Sequence, residues 1–193
     1  PADALGSEGV SEDAPTDVAS LRAAVAAGAR PRFVPFWGSE PAPGDVHVLS
    51  QWHPSPFVVD GVRYATAEHW MMAAKARTFG DDDALDRVLS DDDPDTAKRA
   101  GREVRGFDSQ VWAARRVEVV VEGNRAKFRS AERLTAALLG TGDAVLVEAS
   151  PVDRIWGIGL AADDPDLGAP DRWPGRNLLG FALMRVRAGL GSH

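Results

Sequence analysis

The sequence predicts a mainly α domain with a small β component (α+β), folded as a single compact unit. Apolar residues recur at three- and four-residue spacing through most of the chain beyond about residue 66, in stretches that carry capping residues. Strand-type runs are few and short, which limits any sheet. The chain has 193 residues, 44% of them hydrophobic and 26% charged, enough apolar material for one core.

Residues 1 to about 16 read as an acidic, disordered tail. Asp17 is placed to cap a short Ala-rich helix that Gly28 and Pro31 stop. The predicted division is therefore 1–30, an acidic tail with at most a short helix, and 31–193, the folded domain starting near RFVPFW. FVV and VRY flank Asp60-Gly61, a pair suited to the type I′ turn of a hairpin. Thr66 is an N-cap for AEHWMMAAKARTF, which Gly80 closes. Two shorter helices follow, one with acids in its first turn and one with Pro94 near its start. Asp108 opens a long helix whose stripe Val111, Ala114, Val117, Val121 and Phe128 is expected to face the core. Its residues Trp112, Arg116, Val120 and Lys127 fall on another face. A helix ending at Gly140, a short strand AVLVEAS and an amphipathic helix from RNLLG complete the chain, with no internal repeat.

Composition excludes several function classes. There are no cysteines, so disulfides and thiolate chemistry are out and a cytoplasmic location fits. No apolar run reaches bilayer length, so no membrane partner is expected. The net charge of −7 disfavours general nucleic-acid binding. Between Lys98 and Arg129, however, nine Lys/Arg stand against four Asp/Glu, a local basic zone suited to a small phosphorylated ligand or simply a solvated face. Gly157-Ile-Gly159 fails as a dinucleotide fingerprint because Asp163-Asp164-Pro165 opens no helix to receive a pyrophosphate. His47, His53, His69 and His193 offer no metal-site spacing on one helix, so neither metal nor cofactor is expected.

Three groups of residues remain. Glu68 and Lys75 are two turns apart on one helix face, with Met71 and Met72 between them. The plain alternative is a dipole-complementing acid and a solvated lysine, but methionines that require burial argue for a sheltered pair. Glu148 and Asp153 sit in the apolar stretch LVEASPVDRIWGIGL; a buried carboxylate without a partner is costly. They are expected to stay charged at the mouth of a pocket walled by Trp156, with Gly157 and Gly159 letting backbone approach a ligand. Six tryptophans is a high count, and Trp37, Trp156 and Trp173, beside Gly or Pro, suit a pocket for a flat ring.

LSQWHPSPFVVDG, YATAEHWMMAAKA, Gly101-Arg102, Gly106-Phe107-Asp108 with Trp112, GNRAKF, LLGTGD, LVEAS with Asp153 and IWGIGL, and the GRNLLG run occur in order. Together they resemble the NADAR family, also called YbiA-like, from about Phe33 to Arg187. The resemblance implies a compact, largely helical YbiA-like domain with N-glycosidase activity on early riboflavin-pathway intermediates, ribosylamino-pyrimidinone 5′-phosphates. Other branches remove ADP-ribose from guanine, so ADP-ribosylated nucleic acid is the alternative substrate, and a non-catalytic nucleotide-sugar binding module is the third reading. Gln51 departs from the Asn that many members carry in this motif, which shifts any amide contact by about one methylene.

A glycosylamine breaks through an oxocarbenium-like state, or opens to an iminium that a lysine amine captures as a Schiff base. Either route fits Lys75 as the amine, Glu68 as a proton shuttle and Asp153 as the carboxylate that activates water. Trp112 and Trp156 are expected to sandwich the substrate. Arg102, Lys127 and Arg176 are candidate phosphate ligands. Asn177 contacts a sugar hydroxyl or satisfies loop backbone, and Glu148 joins the catalysis or pairs with an arginine.

Overall fold

The computed structural model describes residues 14–40 and 43–191. Most of the expected acidic tail thus lies outside the described residues, as does His193. Seven α-helices and four short strands are present among the described residues. Helix α1 (Val18–Ala26) begins at Asp17, whose carboxylate accepts from Ser20 N at 2.7 Å while Ser20 Oγ accepts from the Asp17 N–H at 3.1 Å. This helix is docked on the domain. Leu21 is 1% exposed in the main core, and Arg22 donates to the carbonyls of Pro170 at 2.9 Å and Trp173 at 3.3 Å.

Strands β2 (Phe57–Val59) and β3 (Val62–Tyr64) form the expected hairpin. Asp60 and Gly61 both have positive φ, 49° and 78°, as a type I′ turn demands. Strand β1 (Phe33–Phe36) instead pairs in parallel with β4 (Val145–Glu148), Phe33 opposite Val145 and Phe36 opposite Glu148. A parallel pair cannot be joined by a tight turn. Here the intervening chain supplies the hairpin and five helices.

Helix α2 (Ala67–Phe79) runs from its Thr66 cap to Gly80, which has φ 67°. Its first seven residues are all buried, because α4 (Pro94–Arg102) and α5 (Ser109–Arg129) both pack on it and α3 (Asp82–Val88) closes its far end. Trp70 Nε1 donates to Val119 O at 2.7 Å, pinning α2 to α5. Helix α6 (Glu132–Leu139) follows, and α7 (Leu178–Leu190) lies against β4 and α5 with Leu179–Met184 buried.

One expected face is corrected. On α5, Val111 is 45% exposed and Ala114 is exposed, whereas Trp112, Val120, Asn124 and Lys127 are buried with Val121 and Phe128. Hydrophobicity alone favoured the valine stripe. The true inner face carries polar residues whose hydrogen bonds are made inside the fold. No helix among the described residues is long and apolar enough to cross a membrane.

The docking of α1 gives a first prediction. Leu21→Ala is expected to lower the unfolding free energy by about 2–5 kcal/mol, the range for emptying a buried leucine site. Urea unfolding with an unchanged slope and a lower midpoint is the readout.

Candidate active site

The end of β4 is held like a strand edge. Asn177 adopts φ 51° and ψ 36° just before α7, donates through Nδ2 to Leu146 O at 2.8 Å, and accepts through Oδ1 from Glu148 N at 3.0 Å. The Glu148 carbonyl accepts from Ile158 N at 3.0 Å. Between these ties, residues 149–157 fold back. Asp153 Oδ1 accepts from Ile155 N at 2.7 Å and Trp156 N at 2.8 Å, a turn that sets the Trp156 ring.

These elements enclose a cleft of ≈ 340 Å³. Helix α2 contributes Glu68, Met71, Met72 and Lys75, and α4 contributes Lys98 and Arg102. Trp112 comes from α5, Glu148 from β4, and Asp153 and Trp156 from the loop beyond it. Ser50, Gln51 and Trp52 complete the wall.

Lys75 Nζ donates to Gly101 O at 2.6 Å and lies 4.3 Å from the Phe107 ring centroid. Burial, then the neighbouring Arg102 charge, lowers its pKa below the usual lysine range, with Glu68 acting in the opposite sense. Glu68 is 4% exposed. Burial raises its carboxyl to about 7, helped by Asp153 and resisted by Lys98, by Arg102 and by a hydrogen bond from Trp52.

Glu148 departs from expectation. It is only partly exposed as a residue, and its Oε2 is sealed from solvent without a hydrogen-bond partner. Burial, then Asp153 and Glu68, pushes its carboxyl up to about 8, with Lys98 opposing. The surroundings of Glu148 thus favour its protonated form, against the expectation that it stays charged at a pocket mouth. Buried carboxyl groups crowded into one small cleft resist ionisation together, and both Glu68 and Glu148 are pushed toward the protonated form.

A profile of the NADAR domain matches residues 35–191. The chain belongs to the NADAR family. It is 40% identical over 161 residues to an N-glycosidase of Acanthamoeba polyphaga mimivirus, covering 81% of this chain and 95% of that one. It is 30% identical over 155 residues to N-glycosidase YbiA of Escherichia coli, covering 80% and 86% of the two chains. The NMR structure of Escherichia coli YbiA superposes with a TM-score of 0.65 at 27% identity, covering 84% of this chain and 86% of that one. A riboflavin biosynthesis protein of Vibrio vulnificus is 34% identical over 145 residues, spanning 75% of this chain and 36% of its own length.

Within this NADAR domain, eight of the eleven residues singled out from sequence meet in the cleft: Glu68, Lys75, Asp153, Trp112, Trp156, Glu148, Gln51 and Arg102. Three do not. Lys127 is fully buried, and its Nζ donates to Ser50 O at 2.7 Å beneath the cleft wall, so it is no phosphate ligand. Burial lowers its pKa to about 7. Arg176 is exposed and lines a separate recess with Asp17 and Pro174. Asn177 is 0% exposed and spends its side chain on β4 backbone, leaving nothing for a sugar hydroxyl.

Other expectations shift as well. Gly157 makes room for protein, since a Cβ there would sit 2.8 Å from Glu148 O. Trp37 is 60% exposed, and Trp173 is buried with Nε1 donating to Leu167 O at 2.9 Å; neither lines the cleft.

Sequence reasoning passed over Trp52, Lys98 and Asn124. Lys98 Nζ lies 5.2 Å from the Trp52 ring centroid, and its position one turn before Arg102 was the available signal. Asn124 exchanges hydrogen bonds with the Gln51 amide at 3.0 and 3.3 Å, so Gln51 is braced from behind while its carbonyl accepts from Glu68 N at 3.0 Å. GNRAKF placed Asn124 one turn before Lys127, on the same face.

The buried lysine yields a pH prediction. A lysine held at about 7 in the folded chain and at roughly 10.4 when unfolded binds less proton in the folded state across that window. Its contribution to stability therefore rises with pH between those values. Relative to Lys127→Met, the wild type should gain up to about 1.4 kcal/mol per pH unit between pH 7 and pH 10. Denaturant unfolding of both proteins at pH 7 and pH 9 measures it.

Proposed function

We propose that this NADAR-family N-glycosidase hydrolyses the C–N bond of a ribosylamino-pyrimidinone 5′-phosphate, an early riboflavin-pathway intermediate, and releases ribose 5-phosphate. The observation that carries the reading is the meeting of one half-buried amine, Lys75, with Glu68 and Asp153 around a single cleft that also presents Lys98 and Arg102. A riboflavin biosynthesis protein among the relatives supports the substrate class. The net charge of −7 favours a small phosphorylated substrate over ADP-ribosylated nucleic acid.

Lys98 and Arg102 have no carboxylate partner within ion-pair distance among the described residues, and they are free to take the phosphate. Trp112 and Trp156 flank the ring system. The reaction begins when the exocyclic nitrogen lone pair opens the sugar ring, leaving an iminium at C1′. Glu68 carries a proton from the Lys75 ammonium to the ring oxygen, which frees the amine. Lys75 adds to C1′ and returns its extra proton to Glu68. Departure of the heterocycle amine leaves the sugar on Lys75 as a Schiff base. Water oriented by Asp153 then adds to C1′. Finally Glu68 reprotonates the lysine nitrogen, the free aldehyde leaves, and Glu68 relays the hydroxyl proton to the freed amine, restoring the Lys75 ammonium. A lysine with a lowered pKa suits this route because less work is needed to deprotonate it.

Incubation with the ribosylamino-pyrimidinone phosphate, in the presence of chelator, should yield ribose 5-phosphate. Release of ADP-ribose from ADP-ribosylated guanine DNA, with no turnover of the first substrate, would overturn the proposal. Lys75→Ala should lose at least on the order of 10³-fold in kcat, the scale of removing a covalent nucleophile. Borohydride should trap a sugar adduct on Lys75 in the wild type and none in the variant.

A further inference from the structure

The mechanism above leaves one cleft-facing acid without a task. Glu148 closes β4, and its backbone is tied on both sides, by N–H donation to Asn177 Oδ1 and by carbonyl acceptance from Ile158 N, each at 3.0 Å. Glu148 lines the cleft, and its Oε2 is closed to solvent and unpartnered. A sealed carboxyl oxygen is costly unless it carries a proton or a ligand supplies the missing partner.

The charged groups that face it come from three directions. Glu68 stands on α2, Asp153 on the loop beyond β4 and Lys98 on α4, while Lys75 and Arg102 line the same cleft. Burial, then the two neighbouring carboxyl groups, favours the protonated form of Glu148, and Lys98 opposes it. A buried carboxyl group that holds its proton near neutral pH is suited to act as a general acid.

The geometry points to Glu148 as a further catalytic residue: the general acid that protonates the departing amine of the heterocycle. This assignment rests on the glycosylamine reading. After Lys75 has added to C1′, the bond from C1′ to the heterocycle nitrogen breaks, and its electron pair stays on that nitrogen. The nitrogen takes the Glu148 proton, while the lysine lone pair closes the new C=N bond. The carboxylate left behind accepts a proton from the water that adds to C1′, which restores the acid. The Glu148 carboxyl group is thus a proton donor kept for the substrate.

The test is a series of N-aryl ribosylamine 5-phosphates whose leaving amines span a range of basicity, assayed with wild type and Glu148→Gln. The amide is neutral, as the protonated acid is, and nearly isosteric, but it cannot transfer a proton. Glu148→Gln is expected to lower kcat on the order of 10²- to 10⁴-fold for the most basic amine. It should act with less effect for the least basic one, and leave KM within a few-fold. The wild-type rate should fall above about pH 8, and this limb should vanish in Glu148→Gln and persist in Glu148→Asp. An active wild type with the same leaving-group slope and the same alkaline limb in Glu148→Gln overturns the assignment alone. A wild type that turns over none of the series overturns the glycosylamine reading and the assignment together. Should Glu148→Gln fail to fold, the infrared carbonyl band of a protonated carboxyl in the wild type decides. A band that persists in Glu68→Gln at neutral pH and is lost above about pH 8 supports the acid, and no such band in Glu68→Gln overturns it.

Discussion

The parallel pairing of β1 with β4 is the constraint on which the rest hangs. It joins Phe33–Phe36 to Val145–Glu148, and the helices of the intervening chain must pack around that junction. With four residue pairs the ladder is too short to be stable by itself. It is held because Val145, Leu146 and Val147 are all buried and because α7 lies across β4. Asn177, in a left-handed conformation, extends the ladder by one side chain where the strand runs out of partners. The last residue of that strand is an acid that lines the cleft.

Around this junction the fold arranges polar groups in two tiers. The inner tier contains Lys127, which donates to the Ser50 carbonyl, and Asn124, which exchanges hydrogen bonds with the Gln51 amide, both behind the cleft wall. The outer tier contains Glu68, Lys75, Glu148 and Asp153 on the cleft itself. Satisfied buried networks rigidify their surroundings. The inner tier fixes the backbone at Ser50 and Gln51, and through the Gln51 carbonyl it fixes the start of α2, where Glu68 sits. The outer tier then holds its carboxyl groups in defined positions around Lys75.

Much of this was legible from residues. Caps at Thr66 and Asp108, the Asp60-Gly61 turn and the shared face of Glu68 and Lys75 follow from local rules, and local rules are what sequence states directly. The ordered motifs identified the family. What stayed hidden depended on distant partners. Nothing local marks Phe33–Phe36 as the mate of Val145–Glu148. Lys127 was misplaced because a lysine in a basic stretch reads as surface, whereas here a carbonyl from a loop far away in sequence receives it. Glu148 was expected to remain ionised because its sealing depends on a loop, Asp153 to Trp156, whose course over the strand end is a tertiary fact.

The attachment of α1 has a consequence for how this protein is divided. The family profile starts at residue 35, yet Leu21 is part of the main core and Arg22 grips the carbonyls of Pro170 and Trp173, a few residues ahead of Asn177. The segment that the family profile covers is thus smaller than the unit that packs as one core. A fragment trimmed to the family limits would open an apolar socket and loosen the segment that braces the strand end.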